Sequence, residues 1–418
     1  MKKNFCFELY KSISPKTAEV IIPVVDLIRK FKNKPPIPLF EKLAKFDAPN
    51  LQNKTIMLHA VSVGEVLSLE NLVKKIKTEF PSCSLVITTG TVTGQEQAHK
   101  KYGEYADFIT YFPLDIYKSV NTFLDKINPS VVLMAETELW PNFAYSCKER
   151  NIPIYVINGR ISDHSYPSYL KLKGFFKFVL NLYSGIFCQS ELDKSRFIEL
   201  GAEQETCQVM KNLKFEIQKK VCDIDLKKEN SKVFIAASTH KGEDEIAFRA
   251  FENLRNKNKN IKMILAPRHL TRLDEIKKIL KNFDFKVGYR TQNDNFQNND
   301  LIVLDTLGEL SKIYEIVDVA YIGGSFNQTG GHNPLEATIY SKPTVSGPSI
   351  KNFRDIYSIL CRDGASFVVK DEKEFNKILE KLFTDEAFYA KSVENSLNCF
   401  NNQQGALEFV ISKLKELL

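Results

Sequence analysis

Two stretches of this sequence place carboxylates where an apolar strand gives way to a turn, and a third places lysines beside them. In "HAVSVGEV" (59–66), Glu65 follows the apolar run 55–61 and precedes Val66, Leu69, Val73 and Ile76 at helical spacing. A carboxylate at such a mouth is either a first-turn helix charge or a proton acceptor. In "AETELWPNF" (135–143), Glu136 and Glu138 follow a fully apolar strand and precede the single tryptophan, Trp140. Like charges so close raise a pKa, as acid–base work requires, or each pairs with a nearby Arg or Lys as scaffold. "KNLKFE" (211–216) supplies Lys211 and Lys214, and "INGRISDHSYPSY" (157–169) supplies Arg160, Asp163 and His164 in a turn-rich loop.

A different chemistry is written in "YIGGSFNQTGGHNPLEA" (321–337). A strand ends in Gly323-Gly324, a Gly330-Gly331-His332-Asn333 turn follows, and Pro334 stands where a helix begins. Glycines there let backbone N–H groups face a phosphate, and a helix N-terminus adds positive potential. Glu336, one turn in, is placed to accept from ribose hydroxyls. The pattern is neither GxGxxG nor GxxxxGK[ST], which counts against dinucleotide enzymes and P-loop ATPases. "LAPRH" (265–269) ends another strand with Arg268 and His269; a guanidinium there binds phosphate or stacks on a base. "DTLGEL" (305–310) offers Gly308 at a further strand end.

No metal site stands out. The only Asp-x-Asp, Asp223-Ile224-Asp225, lies in a charged stretch, and the six histidines show no HxH or HxxxH spacing.

These residues need elements to hold them. Apolar, β-branched runs at 56–60, 84–89, 130–135, 152–158 and 185–190 alternate with helical patterns. A second series follows at 232–238, 261–267, 301–305, 317–324 and 342–347. Such alternation predicts parallel α/β sheets, here two doubly wound domains. In open α/β sheets ligands bind beyond the carboxyl ends of the strands, where the polar residues above are expected to gather. The expected domains are an N-terminal helical segment (1–50), a first α/β domain (51–215), a charged linker (216–232) and a second α/β domain (233–418), the last helix being a candidate to cross back.

The 418 residues carry a formal charge of +7, which suits anionic substrates or a membrane surface. There is neither a dense basic patch nor a reading motif for nucleic acid, so none is expected as partner. The eight cysteines form no CxxC pair and read as reduced core residues. Residues 7–31 are apolar in places, but their longest uncharged run, 20–25, is too short to span a bilayer. With the basic "RKFKNKPP" that follows, they form either an interfacial anchor or a helix capping the first domain.

In order along the chain, "HAVSVGEV", "TTGTVTGQE", "YFPLD", "ETELWPN", "NGRISDHSYPSY", "QSELDKSRFIELGA", "NLKFE", "PRH" and "GGSFNQTGGHNPLEA" resemble the 3-deoxy-D-manno-octulosonic acid (Kdo) transferases of lipid A biosynthesis, over about residues 56–350. Residues 1–50 depart from the family pattern: "FEKLAKFDAPN" stands where members carry a Gly-Glu-Arg-like element. The resemblance implies two Rossmann-like domains facing a central cleft, the GT-B glycosyltransferase architecture. It implies inverting, metal-independent transfer of Kdo from CMP-Kdo to a hydroxyl of the lipid A precursor (lipid IVA), with no cofactor besides that donor. The first domain would bind the acceptor and the second the CMP-sugar, at the cytoplasmic face of the cell inner membrane. It implies Glu65 as general base and Glu136 and Lys214 as transition-state stabilisers. CMP contacts are implied at Pro267, Arg268, Leu307, Gly308, Glu309, Asn333, Pro334, Leu335 and Glu336, to which the reading of the strand ends adds His269, Gly330 and Gly331.

Overall fold

The computed structural model describes residues 4–32, 35–51 and 54–418. Residues up to Glu216, together with Gln404–Leu418, form one compact unit, and Ile217–Gln403 form another.

The first unit is built on β1 (Thr55–Ala60), β2 (Ser84–Thr89), β3 (Phe108–Tyr111), β4 (Val131–Ala135), β5 (Ile154–Gly159), β6 (Gly185–Cys188) and β7 (Cys207–Val209), in the order β3-β2-β1-β4-β5-β6-β7. All pairs are parallel. Strand side chains alternate between faces, so each buried strand feeds two cores. Ile56, Leu58 and Ala60 enter one core with Val131, Leu133 and Ala135; Met57 enters the other with Val132 and Met134. Helices cover both faces, which is why these strands read as unbroken apolar runs.

The second unit repeats the plan with β8 (Lys232–Thr239), β9 (Ile261–Pro267), β10 (Val287–Tyr289), β11 (Leu301–Val303), β12 (Val319–Ile322), β13 (Thr344–Ser346) and β14 (Ser366–Val368). Their order is β10-β11-β9-β8-β12-β13-β14, again all parallel. In both sheets the order reverses beside the first strand, between β1 and β4 and between β8 and β12. That reversal is where a doubly wound sheet opens a crevice.

Two segments differ from the simplest reading of the sequence. Residues 217–231 carry no helix or strand, yet Ile224 and Leu226 are buried in the core of the second unit with Val233 and Ile235. The helix Ala406–Leu417 is part of the first unit, where Ala406, Val410, Ile411 and Leu414 join Leu72, Val73 and Ile76.

The N-terminal helix α1 (Phe5–Phe31) is 27 residues long and capped by Asn4, whose side chain accepts from the Phe7 N–H. Its first half is tied down: Phe7 is buried against Tyr145 and Phe178, and the Tyr10 hydroxyl donates to Asp115 at 2.8 Å. Its second half exposes Val20, Ile21, Val24, Leu27, Ile28 and Phe31. Among the described residues no helix is long and apolar enough to cross a membrane. Asn33 and Lys34, in the basic stretch read as part of an anchor, lie outside the described residues.

Candidate active site

Glu65 sits at the reversal point of the first sheet, in the first turn of the helix Val63–Ser68 that follows β1. Ser62 caps this helix, its hydroxyl oxygen accepting from the Glu65 N–H at 3.3 Å. The Glu65 carboxylate reaches back in turn. Oε1 accepts from the Ser62 hydroxyl and Oε2 from the Val61 N–H, each at 2.7 Å. This is a capping box with Val61 in place of the cap's own N–H, so Glu65 does serve the helix end. A carboxylate offers about four acceptor positions, however, and these bonds use two. Burial raises the Glu65 pKa, the bonds from Ser62 and Val61 pull it back, and the charge of Glu136 pushes it up again. A half-buried carboxylate held in place, with spare lone pairs and raised basicity, has the properties of a proton acceptor.

Glu136 and Glu138 follow β4, on the other side of the reversal. The chain turns there through a left-handed residue, Glu136 at φ 56°, whose N–H donates to Ile157 O. The Lys214 ammonium lies 3.5 Å from the Glu136 carboxylate, both about a quarter exposed. Lys214 is positioned by Asn212, which accepts from its N–H, and Asn158, which accepts from that of Leu213. Lys211 is used elsewhere, donating to Gln404 O. A cavity of about 190 Å³ is lined by Glu136, Thr137, Glu138, Arg160, Ser162 and Tyr169. Asp163, from the same loop, is exposed and paired with Arg196.

Glu138 carries a strong perturbation: burial, then the charge of Glu65, then that of Glu136, push its pKa up to about 7. The folded state therefore holds its proton more tightly than the unfolded chain does. That contribution is complete below the unfolded value of about 4.3 and is lost as pH rises through about 7. Glu138→Gln should flatten the decline in melting temperature between pH 5 and 8. An unchanged profile would show that Glu138 is already ionised at pH 5.

In the second unit the reversal point holds the glycine-rich turn. Gly324, Gly330 and Gly331 all have left-handed backbones, at φ 68°, 99° and 78°. The expectation that the N–H groups of Gly330 and Gly331 face a phosphate is not met: both donate to Gly324 O, at 3.1 and 2.7 Å. Glycine is required here for the backbone angle and for room, since a Cβ on Gly330 would sit 2.6 Å from the Lys351 side chain. The helix after Pro334 is only one turn, Leu335–Thr338, with Asn333 Oδ1 accepting from the Leu335 N–H. Its dipole is correspondingly small.

Glu336 is half-buried, and burial raises its pKa against the pull of Lys220 and Arg268. Arg268 and His269 are exposed just beyond β9, which ends in the buried Pro267. Leu307 and Gly308 are exposed on the turn after β11. Glu309 is committed: its carboxylate pairs with Arg290 and accepts from the Thr306 hydroxyl.

Comparison with known proteins fixes the family. Residues 38–217 match the family described as 3-deoxy-D-manno-octulosonic-acid transferase (kdotransferase). The chain is 32% identical over 372 residues to a 3-deoxy-D-manno-octulosonic acid transferase of Haemophilus influenzae, covering 87% of each. It belongs to the Kdo transferase family. It is accordingly a transferase enzyme. It is also 36% identical over 375 residues to a bifunctional glycosyltransferase/methyltransferase of Fusobacterium nucleatum, covering 87% of this chain but only 57% of that protein. In fold it is similar to the UDP-GlcNAc 2-epimerase of Neisseria meningitidis, with a TM-score of 0.56 at 13% identity over 87% of this chain and all of that one. The likeness shows the shared duplicated Rossmann-like, GT-B architecture.

For a Kdo transferase, reasoning from sequence overlooked one residue that organises the second unit. Glu243, fully buried, accepts from the N–H groups of His240, Gly324, Ser325 and Phe326, at 2.7 to 2.9 Å. One carboxylate thus joins the turn after β8 to the turn after β12. Beside it the imidazoles of His240 and His332 are stacked with Nε2 atoms 2.8 Å apart, and burial, then Arg268, bring the His332 pKa down to about 4. "STHKGEDE" (238–245) gives no local sign of this, because Gly324, Ser325 and Phe326 lie 81 to 83 residues further along the chain.

Proposed function

We propose that this Kdo transferase family member moves Kdo from CMP-Kdo to a hydroxyl of a lipid A precursor, lipid IVA, with inversion and without a metal ion. The observation that carries the reading is the convergence of Glu65, Glu138 and the Glu136–Lys214 pair at the reversal point of one sheet. An alcohol is a poor nucleophile, so its proton must be taken as the new bond forms. In the proposed step the acceptor oxygen bonds to the anomeric carbon and its proton passes to Glu65. The anomeric carbon–oxygen bond to phosphate breaks, and CMP leaves with the electron pair. Glu136 and Lys214, held as a pair, stabilise the charge that develops in the transition state.

CMP is assigned to the second unit, through Arg268, Asn333 and Glu336, with Pro267, Leu307, Gly308, Pro334 and Leu335 shaping its surroundings. Gly330 and Gly331 set the turn rather than donating to phosphate. Glu336→Ala should weaken CMP binding by about 1–3 kcal/mol, the cost of leaving buried hydroxyls without a partner. Calorimetry with CMP checks this, and unaltered affinity would remove Glu336 from the site. The exposed apolar half of α1 supports seating at the cytoplasmic face of the inner membrane, where a lipid acceptor is presented.

The decisive experiment is mass spectrometry of the product formed from CMP-Kdo and lipid IVA. A product one or more Kdo masses heavier than the acceptor supports the reading; an unmodified acceptor refutes it. A second reading, a UDP-sugar enzyme, draws on the shared fold alone and is tested by titrating UDP against CMP.

A further inference from the structure

His59 is the residue the proposed mechanism leaves unused. It lies in β1, fully buried, under the ring of Phe112 at a centroid distance of 4.1 Å. Its Nδ1 is 3.2 Å from Thr88 O and 3.0 Å from Thr88 Oγ1. The Thr88 hydroxyl can donate or accept, but its carbonyl oxygen only accepts; the tautomer that satisfies the carbonyl puts the hydrogen on Nδ1 and leaves Nε2 a lone pair. Burial holds the His59 pKa down to about 3, so the ring stays neutral. Among the described residues, His59 Nε2 is buried with no hydrogen-bond partner. A buried acceptor left without a donor is costly and needs an explanation.

The explanation lies in the space beside it. A cavity of about 160 Å³ is lined by Lys42, His59, Gly90, Phe112, Leu114 and Trp140. Val61, whose N–H is bound by Glu65, forms part of the same wall, which puts the cavity next to the proposed base. Lys42 Nζ spends one hydrogen on Gly90 O at 2.9 Å, and an ammonium has three to give. Burial, then Arg29, bring its pKa down to about 8. Asp115, also in the wall, is already engaged by the Tyr10 hydroxyl and by the N–H groups of Asn142 and Phe143. The open positions are therefore one acceptor, on His59, and donors, on Lys42 and on Trp140 Nε1, which is also buried with no partner among the described residues. A carboxylate or phosphate dianion satisfies the donors and leaves His59 without one. A hydroxyl donates to His59 and accepts from a donor at once.

We propose that the Lys42–His59 cavity is a subsite for a sugar hydroxyl, which donates to His59 Nε2 and accepts from Lys42 Nζ, and so orients the sugar against Glu65. The proposal rests on the transferase reading above. The hydroxyl can belong to the acceptor sugar or to the sugar of the donor, and kinetics tell these apart.

His59→Asn and His59→Gln divide the ring's two functions. The Asn amide replaces Nδ1 toward Thr88 and has nothing at Nε2; the Gln amide reaches the Nε2 position. His59→Asn should raise the KM of one substrate by about tenfold, with His59→Gln recovering part of it, and the CMP dissociation constant should stay as in the parent. A raised KM for the lipid acceptor assigns the hydroxyl to it; a raised KM for CMP-Kdo assigns it to the donor sugar. Lys42→Met, on the short helix Leu39–Lys42, repeats the test without touching the sheet and should move the same KM. Lowered melting temperature with both KM values unchanged in all three variants would mean that the cavity holds water only. A parent chain that transfers nothing counts against the functional reading instead. Calorimetry with glucosamine and with free Kdo then reads the cavity directly, and heats that are equal for parent and His59→Asn with both sugars overturn the subsite.

Discussion

Glu65→Gln should transfer sugar at least about 100-fold more slowly than the parent, the scale of losing a general base, and should melt almost where the parent does. The substitution is informative because glutamine also serves the third position of a capping box. The amide oxygen can still accept from the Ser62 hydroxyl or the Val61 N–H, so the helix Val63–Ser68 keeps its start. What it loses is a charge at the helix N-terminus, about 0.3–1 kcal/mol, and all capacity to take a proton. A carboxylate that merely caps would therefore give a small shift in melting and normal turnover. Should transfer stay near normal, this stretch is scaffold, and the base must be sought at Glu136 or Glu138.

Glu243→Gln carries the second large expectation. Its carboxylate accepts from four backbone N–H groups, and an amide nitrogen in place of one oxygen would face donors with a donor. Each buried N–H left without an acceptor costs about 1–3 kcal/mol. Hydrogen exchange at Gly324, Ser325 and Phe326 should accelerate by about a hundredfold or more. CMP affinity should fall with it, because the same turn leads to Asn333 and Glu336. Trp140 lies in the first unit, so its fluorescence is a poor reporter here and exchange is the better one. Amides at 324–326 that exchange as slowly as in the parent would show that another contact holds the turn.

How much of this was legible in the sequence follows from burial. The ten apolar runs all became strands, because strands covered on both faces have apolar side chains throughout. The four strands that escaped notice are β3, β7, β10 and β14, the edges of the two sheets. They are short, and "CQV" or "VGY" offers no continuous apolar run, since an edge is only partly covered. The same logic runs through the sites. Glu65 and Glu136 stand next to strand ends in the sequence and are singled out there, whereas Lys214 lies in a stretch with no strand read beside it and its role comes from the family resemblance alone. Gly330 and Gly331 were found for a reason the backbone does not support, since a dipeptide cannot reveal that Gly324 O takes both N–H groups. Glu243 and His59 were passed over because their meaning lies in partners distant in sequence, or in the lack of one.

The return of the helix Ala406–Leu417 to the first unit bears on how the protein is made. Residues 217–403 are contiguous, so the second unit has all its parts as soon as that segment has left the ribosome. The first unit is synthesised earlier but waits for Ala406, Val410, Ile411 and Leu414 to cover Leu72, Val73 and Ile76. Until then the apolar face of the helix Glu70–Glu79 that carries them stays open. The order of maturation is thus the reverse of the order of translation, and the window in between is when the nascent chain is most exposed to aggregation and most in need of a chaperone.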